Sequence, residues 1–359
     1  MDFDRRTFVK LAGATAGASI IGGTAGAQEG SEDDDFRRAA ELDPQVAELL
    51  DILEEEDAPA INELSTEEAR PFFEDFAISE TDTNDPRPVG NVEDRSISGP
   101  GGEVPIRIYT PEGEGPHPAL VYFHSGGWVL GDLDTHDSNA RALSNKADAV
   151  VVSVDYRKGP EEPFPAAVED AICATQWVSN EGEKIDVDTD RIAVGGDSAG
   201  GNLSTVVSLE AREREDISLV HQLLIYPVTD NSANDLRSHE QNAEGFFLTT
   251  EDLEWFGERY LESEIDAQNI YTSPVLARDL SDLPPATIIT AGYDPLRDEG
   301  FKYAELLEED GVEVELTNFE DLIHDFLIMR HLDDPYPDIE RAEDGFDVAA
   351  DGLRSAFDE

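Results

Sequence analysis

The sequence has one cysteine, Cys173, two methionines and only five lysines in 359 residues. A single cysteine excludes an internal disulfide and any cysteine-cluster metal site. Basic side chains number 25 against 82 acidic ones, a formal net charge of −57. So few cations exclude a nucleic-acid or anionic-membrane binder, because phosphate contacts need clustered Lys and Arg. Long apolar runs are also missing. The stretch from Leu11 to Ala27 is mostly Gly, Ala, Ser and Thr, too short and too weakly hydrophobic for a stable membrane span.

What is abundant is acid. Like charges repel and destabilise a compact state. Near 1 M salt the Debye length falls to ~3 Å and most of that repulsion is screened. The composition therefore reads as an adaptation to high salt, and folding is expected to need it. Disorder does not follow, since 39% of residues are hydrophobic and can bury a sizeable core. The length suits one large or two ordinary domains.

The chain opens with Asp4-Arg5-Arg6-Thr7-Phe8-Val9-Lys10, then the mild apolar stretch, then Ala25-Gly26-Ala27. This resembles a twin-arginine export signal over residues 1–27 with a small-residue cleavage site. Export to the cell surface or medium is the expectation. No cysteine follows the stretch, so a lipoprotein anchor is excluded. The segment carries three basic and two acidic residues, so its removal takes the charge from −57 to −58.

Residues 28–35 read as an acidic linker. From Pro44, the residues Val46, Leu49, Leu50 and Leu53 follow helical spacing, and a second helix is expected from Ser65. Residues 84–118 are punctuated by Pro and Gly, with one strand at 104–109. Beyond them, strands at 119–123, 149–154, 191–194, 223–226, 286–290 and 312–316 alternate with helices such as 165–180 and 199–212. That alternation predicts a mostly parallel α/β sheet flanked by helices. Residues 231–275 break the rhythm as an insertion.

Gly196-Asp197-Ser198-Ala199-Gly200 sits between a strand and a helix. A nucleophilic serine needs a very tight strand-to-helix turn, and glycine two residues to either side avoids collision there. Ser198 then lies at a helix N-terminus, where the next backbone N–H can face an oxyanion. His124-Ser125-Gly126-Gly127-Trp128 follows an earlier strand, and its glycine pair can turn N–H groups toward one point.

Behind such an elbow the triad runs Ser, acid, His in chain order. Of seven histidines that order leaves His221, His239, His324 and His331. His324 lies in the loop after the last strand and is the expected base, with His331 placed on a following helix. Asp294 ends the preceding strand and is the expected acid, ahead of Asp230 and Asp298. No metal or organic cofactor is required.

These segments together resemble the hormone-sensitive lipase-like group of α/β-hydrolases, the bacterial family IV esterases. Three stretches carry the likeness: Asp155-Tyr156-Arg157-Lys158-Gly159-Pro160-Glu161 leading into Pro163-Phe164-Pro165-Ala166-Ala167, the run Gly195 to Asn202, and Asp294-Pro295-Leu296-Arg297-Asp298-Glu299-Gly300. The resemblance implies an α/β-hydrolase core at 81–230 and 276–359. It also implies a helical cap from 36–80 and 231–275. Ser198, Asp294 and His324 carry over as the triad, and Gly126, Gly127 and Ala199 as oxyanion donors. Phe246, Phe247, Leu248, Trp255 and Phe256 either line an acyl pocket, with Trp128, or pack the cap's own core.

Two positions depart from the family pattern. Ser125 replaces the first glycine of its His-Gly-Gly-Gly, and Asp325 replaces the glycine after the histidine. A carboxylate there is expected to raise the base's pKa. The expected activity is hydrolysis of short- to medium-chain carboxylic esters, small molecules, through an acyl-enzyme. An amidase or peptidase on the same fold is one rival. The other is a non-catalytic binder like the plant gibberellin receptors, which lack the histidine. A homodimer is left open.

Overall fold

The computed structural model describes residues 37–84, 86–232 and 236–358. The export signal and the acidic linker lie outside the described residues. The chain first forms helices α1 (Pro44–Glu55), α2 (Thr66–Ala77) and α3 (Glu80–Asn84). Asp43 caps α1 by accepting from the Gln45 and Val46 amides, with Pro44 in the first turn where its missing N–H costs nothing. Val46 and Leu49 are the buried stripe. Glu68 reaches back to the Ser65 amide at 3.1 Å to start α2.

Strands β1 (Asn91–Gly99) and β2 (Gly102–Thr110) then make a hairpin. After them come β3 (His117–Phe123), α4 (Asp137–Ala147), β4 (Val150–Val154), α5 (Ala166–Glu181), β5 (Val187–Asp197) and α6 (Ala199–Arg212). The strand β6 (His221–Ile225) precedes helices α7 (Arg237–Gln241) and α8 (Thr250–Tyr260). The chain closes with β7 (Ala286–Tyr293), α9 (Arg297–Glu309), β8 (Val314–Ile323) and α10 (Ala342–Phe357).

Among the described residues all eight strands join one sheet, in the order β1-β2-β4-β3-β5-β6-β7-β8. Only β2 runs against the rest. The central strands β3, β4 and β6 are buried at every residue, as parallel strands covered by helices on both faces must be. Strand order reverses around β3, so the connections leave a crevice at the carboxyl ends of β3 and β5, where open α/β sheets bind ligands.

Three of the differences from the sequence expectation have a clear physical reason. Strand β1 was not anticipated: as an edge strand it buries only Ile97 and so carries no hydrophobic signal. Strand β8 starts at Val314 and continues to Ile323, since it too is an edge strand whose exposed polar residues hide the pattern. His331 lies past a single 3-10 turn, Phe326–Met329, rather than on a helix. Pro335 and Pro337 delay the next helix until Ala342.

Candidate active site

Four strand ends converge. His124 leaves β3, Ser198 leaves β5, Asp294 follows β7 and His324 follows β8. At the β5–α6 turn Ser198 adopts φ 53°, ψ −115°, outside the helical and extended regions. Its amide donates to the Ile225 carbonyl at 2.8 Å, and its carbonyl accepts from Asn202 and Val228. The flanking glycines are a steric necessity. A Cβ on Gly200 would lie 1.8 Å from the Phe123 carbonyl oxygen, and one on Gly196 would lie 2.2 Å from the same atom.

His324 Nε2 stands 3.0 Å from Ser198 Oγ, and His324 Nδ1 stands 2.7 Å from Asp294 Oδ2. A carboxylate only accepts, so Nδ1 carries a proton, and in the free base Nε2 is left to accept from the serine hydroxyl. Asp294 Oδ1 is fixed by the Leu296 amide at 2.8 Å. The other acids are engaged elsewhere. Asp298 is held by Arg297 and Arg37 and accepts from the Ser238 amide. Asp230 takes Lys302 and Ser232. Of the other histidines, His221 meets Thr287, His331 faces Asp338 at 3.5 Å, and His239 pairs with Glu299.

Burial works against a charged His324, yet Asp294, Asp325 and Asp197 around it prevail and raise its pKa to about 9. Asp325 Oδ1 is 3.8 Å from His324 Nε2. Burial, helped by Asp197, pushes the Asp325 carboxyl up, with His324 and His136 opposing.

Gly126 and Gly127 have φ of 102° and 57°, conformations that favour glycine. A Cβ on Gly126 would meet the Leu130 carbonyl oxygen at 2.4 Å, and one on Gly127 the Phe256 ring at 2.2 Å. This loop and Ala199 at the start of α6 flank Ser198.

A cavity of about 840 Å³ opens over Ser198 and His324. Its apolar wall comes from both segments outside the sheet: Phe72, Phe73 and Phe76 from α2, and Phe246, Phe247 and Phe256 around α8. Trp128 also lines it, stacked on Tyr260 at 4.3 Å. Trp255 stands apart from the wall. It is buried on the far side of α8, where its indole N–H donates to the Leu64 carbonyl and Arg259 covers its face. Sequence reasoning missed the α2 phenylalanines, whose helical spacing was visible. It also missed the buried Glu299, which lines the cavity, accepts from the Thr229 and Asp230 amides and pairs with His239 at 3.0 Å. Its signal was the Asp-Pro-Leu-Arg-Asp-Glu-Gly block. Among the described residues no cluster fit for a metal ion occurs.

A family model for the α/β hydrolase fold matches residues 120–328, more than half of the chain, and the protein is an α/β-hydrolase. The carboxylic ester hydrolase LipN of Mycobacterium tuberculosis is 48% identical over 243 residues, 66% of this chain and 64% of that relative. The ethyl acetate hydrolase of Pseudomonas putida is 33% identical over 87% of this chain and 98% of its own length. A hyperthermophilic esterase from Pyrobaculum calidifontis superposes with a TM-score of 0.81 at 39% identity, covering 88% of this chain and 98% of that one. The chain belongs to the hormone-sensitive lipase-like group of α/β-hydrolases, a family of ester hydrolases.

Proposed function

We propose that the protein is a serine carboxylesterase that cleaves short- to medium-chain carboxylic esters through an acyl-enzyme. One observation carries the reading: Ser198 Oγ, His324 Nε2 and Asp294 lie in hydrogen-bonding line at the floor of an apolar cavity. Ser198 Oγ attacks the ester carbonyl while His324 Nε2 takes its proton, and Asp294 holds the imidazole in the required tautomer. The amides of Gly126, Gly127 and Ala199 receive the oxyanion. The imidazolium then gives its proton to the leaving alcohol. Water, activated by the same His324, releases the acid and frees Ser198. Similarity to an ethyl acetate hydrolase supports small esters as substrates.

The decisive assay is hydrolysis of p-nitrophenyl acetate and butyrate in high salt. Ser198→Ala is expected to lower kcat by about 10⁴-fold or more. A loss under tenfold sinks the nucleophile assignment. Covalent capture of Ser198 by an organophosphate separates enzyme from binder, and parallel ester and peptide substrates separate esterase from peptidase.

The acidic composition supports work in concentrated salt, and the residues before 28 support export; both readings rest on the sequence alone. Melting followed by circular dichroism tests the first. The melting temperature is expected to rise from low to molar salt, and an unchanged value refutes it.

A further inference from the structure

The two departures from the family pattern, Ser125 and Asp325, are 200 positions apart and meet in space. The Ser125 hydroxyl favours the charged form of the Asp325 carboxyl and lies 3.1 Å from His136 Nε2. His136 extends the chain of contacts. Its Nε2 is 3.4 Å from Asp197 Oδ2, and its Nδ1 is 2.9 Å from Thr135 Oγ1. Tyr122 donates to Asp197 Oδ1 at 2.5 Å. Every one of these side chains is buried.

A buried carboxylate needs hydrogen bonds or a cation. Among the described residues, neither Asp197 nor Asp325 ion-pairs with a Lys or Arg; the basic side chains nearest them are His136 and His324. Asp325 also occupies φ 58°, ψ 19°, a left-handed conformation that suits the family's glycine better than aspartate. Yet its Oδ1 has no hydrogen-bond partner and stands 3.8 Å from His324 Nε2, and the residue borders the cavity.

We infer that Asp325 is a positioning residue, a second carboxylate partner of the His324 imidazolium that Ser125 holds just short of a direct hydrogen bond. The inference rests on the serine esterase reading. When His324 takes the Ser198 proton, positive charge appears on a ring already faced at Nδ1 by Asp294. Asp325 faces the opposite nitrogen. At 3.8 Å it acts through its field, which is strong in a dry interior, and leaves the Nε2 proton free for the departing alcohol. A closer Asp325 would compete with the substrate for that proton. The Ser125 hydroxyl, set by His136, keeps it back.

The groups facing His324 are the Asp294, Asp325 and Asp197 carboxylates, the Ser198 hydroxyl and the Tyr226 ring at 4.9 Å; Tyr122 and His136 stand behind them. The charged groups acting on the ring, Asp294, Asp325 and Asp197, are all acids, so the imidazolium is favoured and the free base is gained only at high pH. Removing the Asp325 charge lowers the base's pKa and also weakens its help to the transition state. The two effects have opposite signs at the two ends of the pH range.

The test begins with wild-type protein and diethyl p-nitrophenyl phosphate, where labelling of Ser198 secures the parent reading. Then kcat/KM for p-nitrophenyl acetate is measured from pH 6 to 10 at constant ionic strength. In Asp325→Asn the acid limb is expected about one pH unit lower. That variant should be several-fold faster than wild type near pH 7 and about threefold slower at the alkaline plateau, so the curves cross. Asp325→Gly, which suits the local backbone, should follow Asn and covers the case in which Asn fails to fold. Ser125→Gly releases Asp325 toward Nε2, and its limb should move upward. Limbs unmoved in both Asp325 variants, or equal slowing at every pH, overturn the inference while esterase activity stands. Absence of labelling in the wild type overturns both.

Discussion

The sheet ends and the helices above them build the same cavity by different means. At the sheet ends, backbone meets backbone. Gly196 and Gly200 press against the Phe123 carbonyl with no room for a Cβ, and the Ser198 amide is tied to Ile225 on the neighbouring strand. Above them, α2 and the α8 region meet the cavity through side chains, chiefly phenylalanines, and Phe76 and Phe247 touch ring to ring at 5.1 Å. A backbone contact tolerates nothing but glycine. A side-chain contact tolerates any residue of similar bulk. Chemistry is therefore placed by the rigid half, and substrate shape is left to the adjustable half.

A single extra methyl distinguishes the two regions, and its largest effect is expected at the elbow. In Gly200→Ala the new Cβ faces Phe123 backbone atoms at 1.8 and 2.4 Å. Neither atom can move without separating α6 from β3. The variant is expected to lose about 3 kcal/mol or more of stability, with esterase activity falling at least a hundredfold through displacement of Ser198. Urea unfolding and kcat on p-nitrophenyl butyrate check both. A variant with wild-type stability and rate would mean that the elbow is softer than its contacts imply.

The same contrast explains what the sequence made legible. Gly-x-Ser-x-Gly could be read because a main-chain constraint leaves only one residue type, and that type stands in the sequence. Asp294 and His324 could be read because they end strands in a fixed order. Trp255 could not be read: an aromatic on an amphipathic helix fits a cavity wall or a packed core equally well, and only the face it turns to decides. Here it turns to Leu64. The network under the base was legible only in part: Ser125 and Asp325 stood out singly, but not their meeting in space. Tyr122, Ser125, His136, Asp197 and Asp325 come from four separate segments, and nothing in the order of the chain says that these segments pack together. Edge strands β1 and β8 were blurred because few of their residues are buried, Ile97 in β1 and Phe319, Leu322 and Ile323 in β8.

The smallest effect is expected from the matching change in the cap. Gly257 lies inside α8, and a Cβ there would meet nothing within 4 Å. Glycine in a helix interior costs about 0.5–1 kcal/mol relative to alanine, because the unfolded chain gains the freedom of a missing side chain. Gly257→Ala is therefore expected to stabilise by about that amount, raising Tm by about 2 °C. Gly257 also borders the cavity, so the methyl takes space from substrate rather than from protein. Turnover of p-nitrophenyl acetate should stay within twofold of wild type, while the longest acyl chains accepted lose some kcat/KM. A Tm lower than wild type would mean that the cap is packed as tightly as the sheet ends, and the division between a rigid half and an adjustable half would fail at that point.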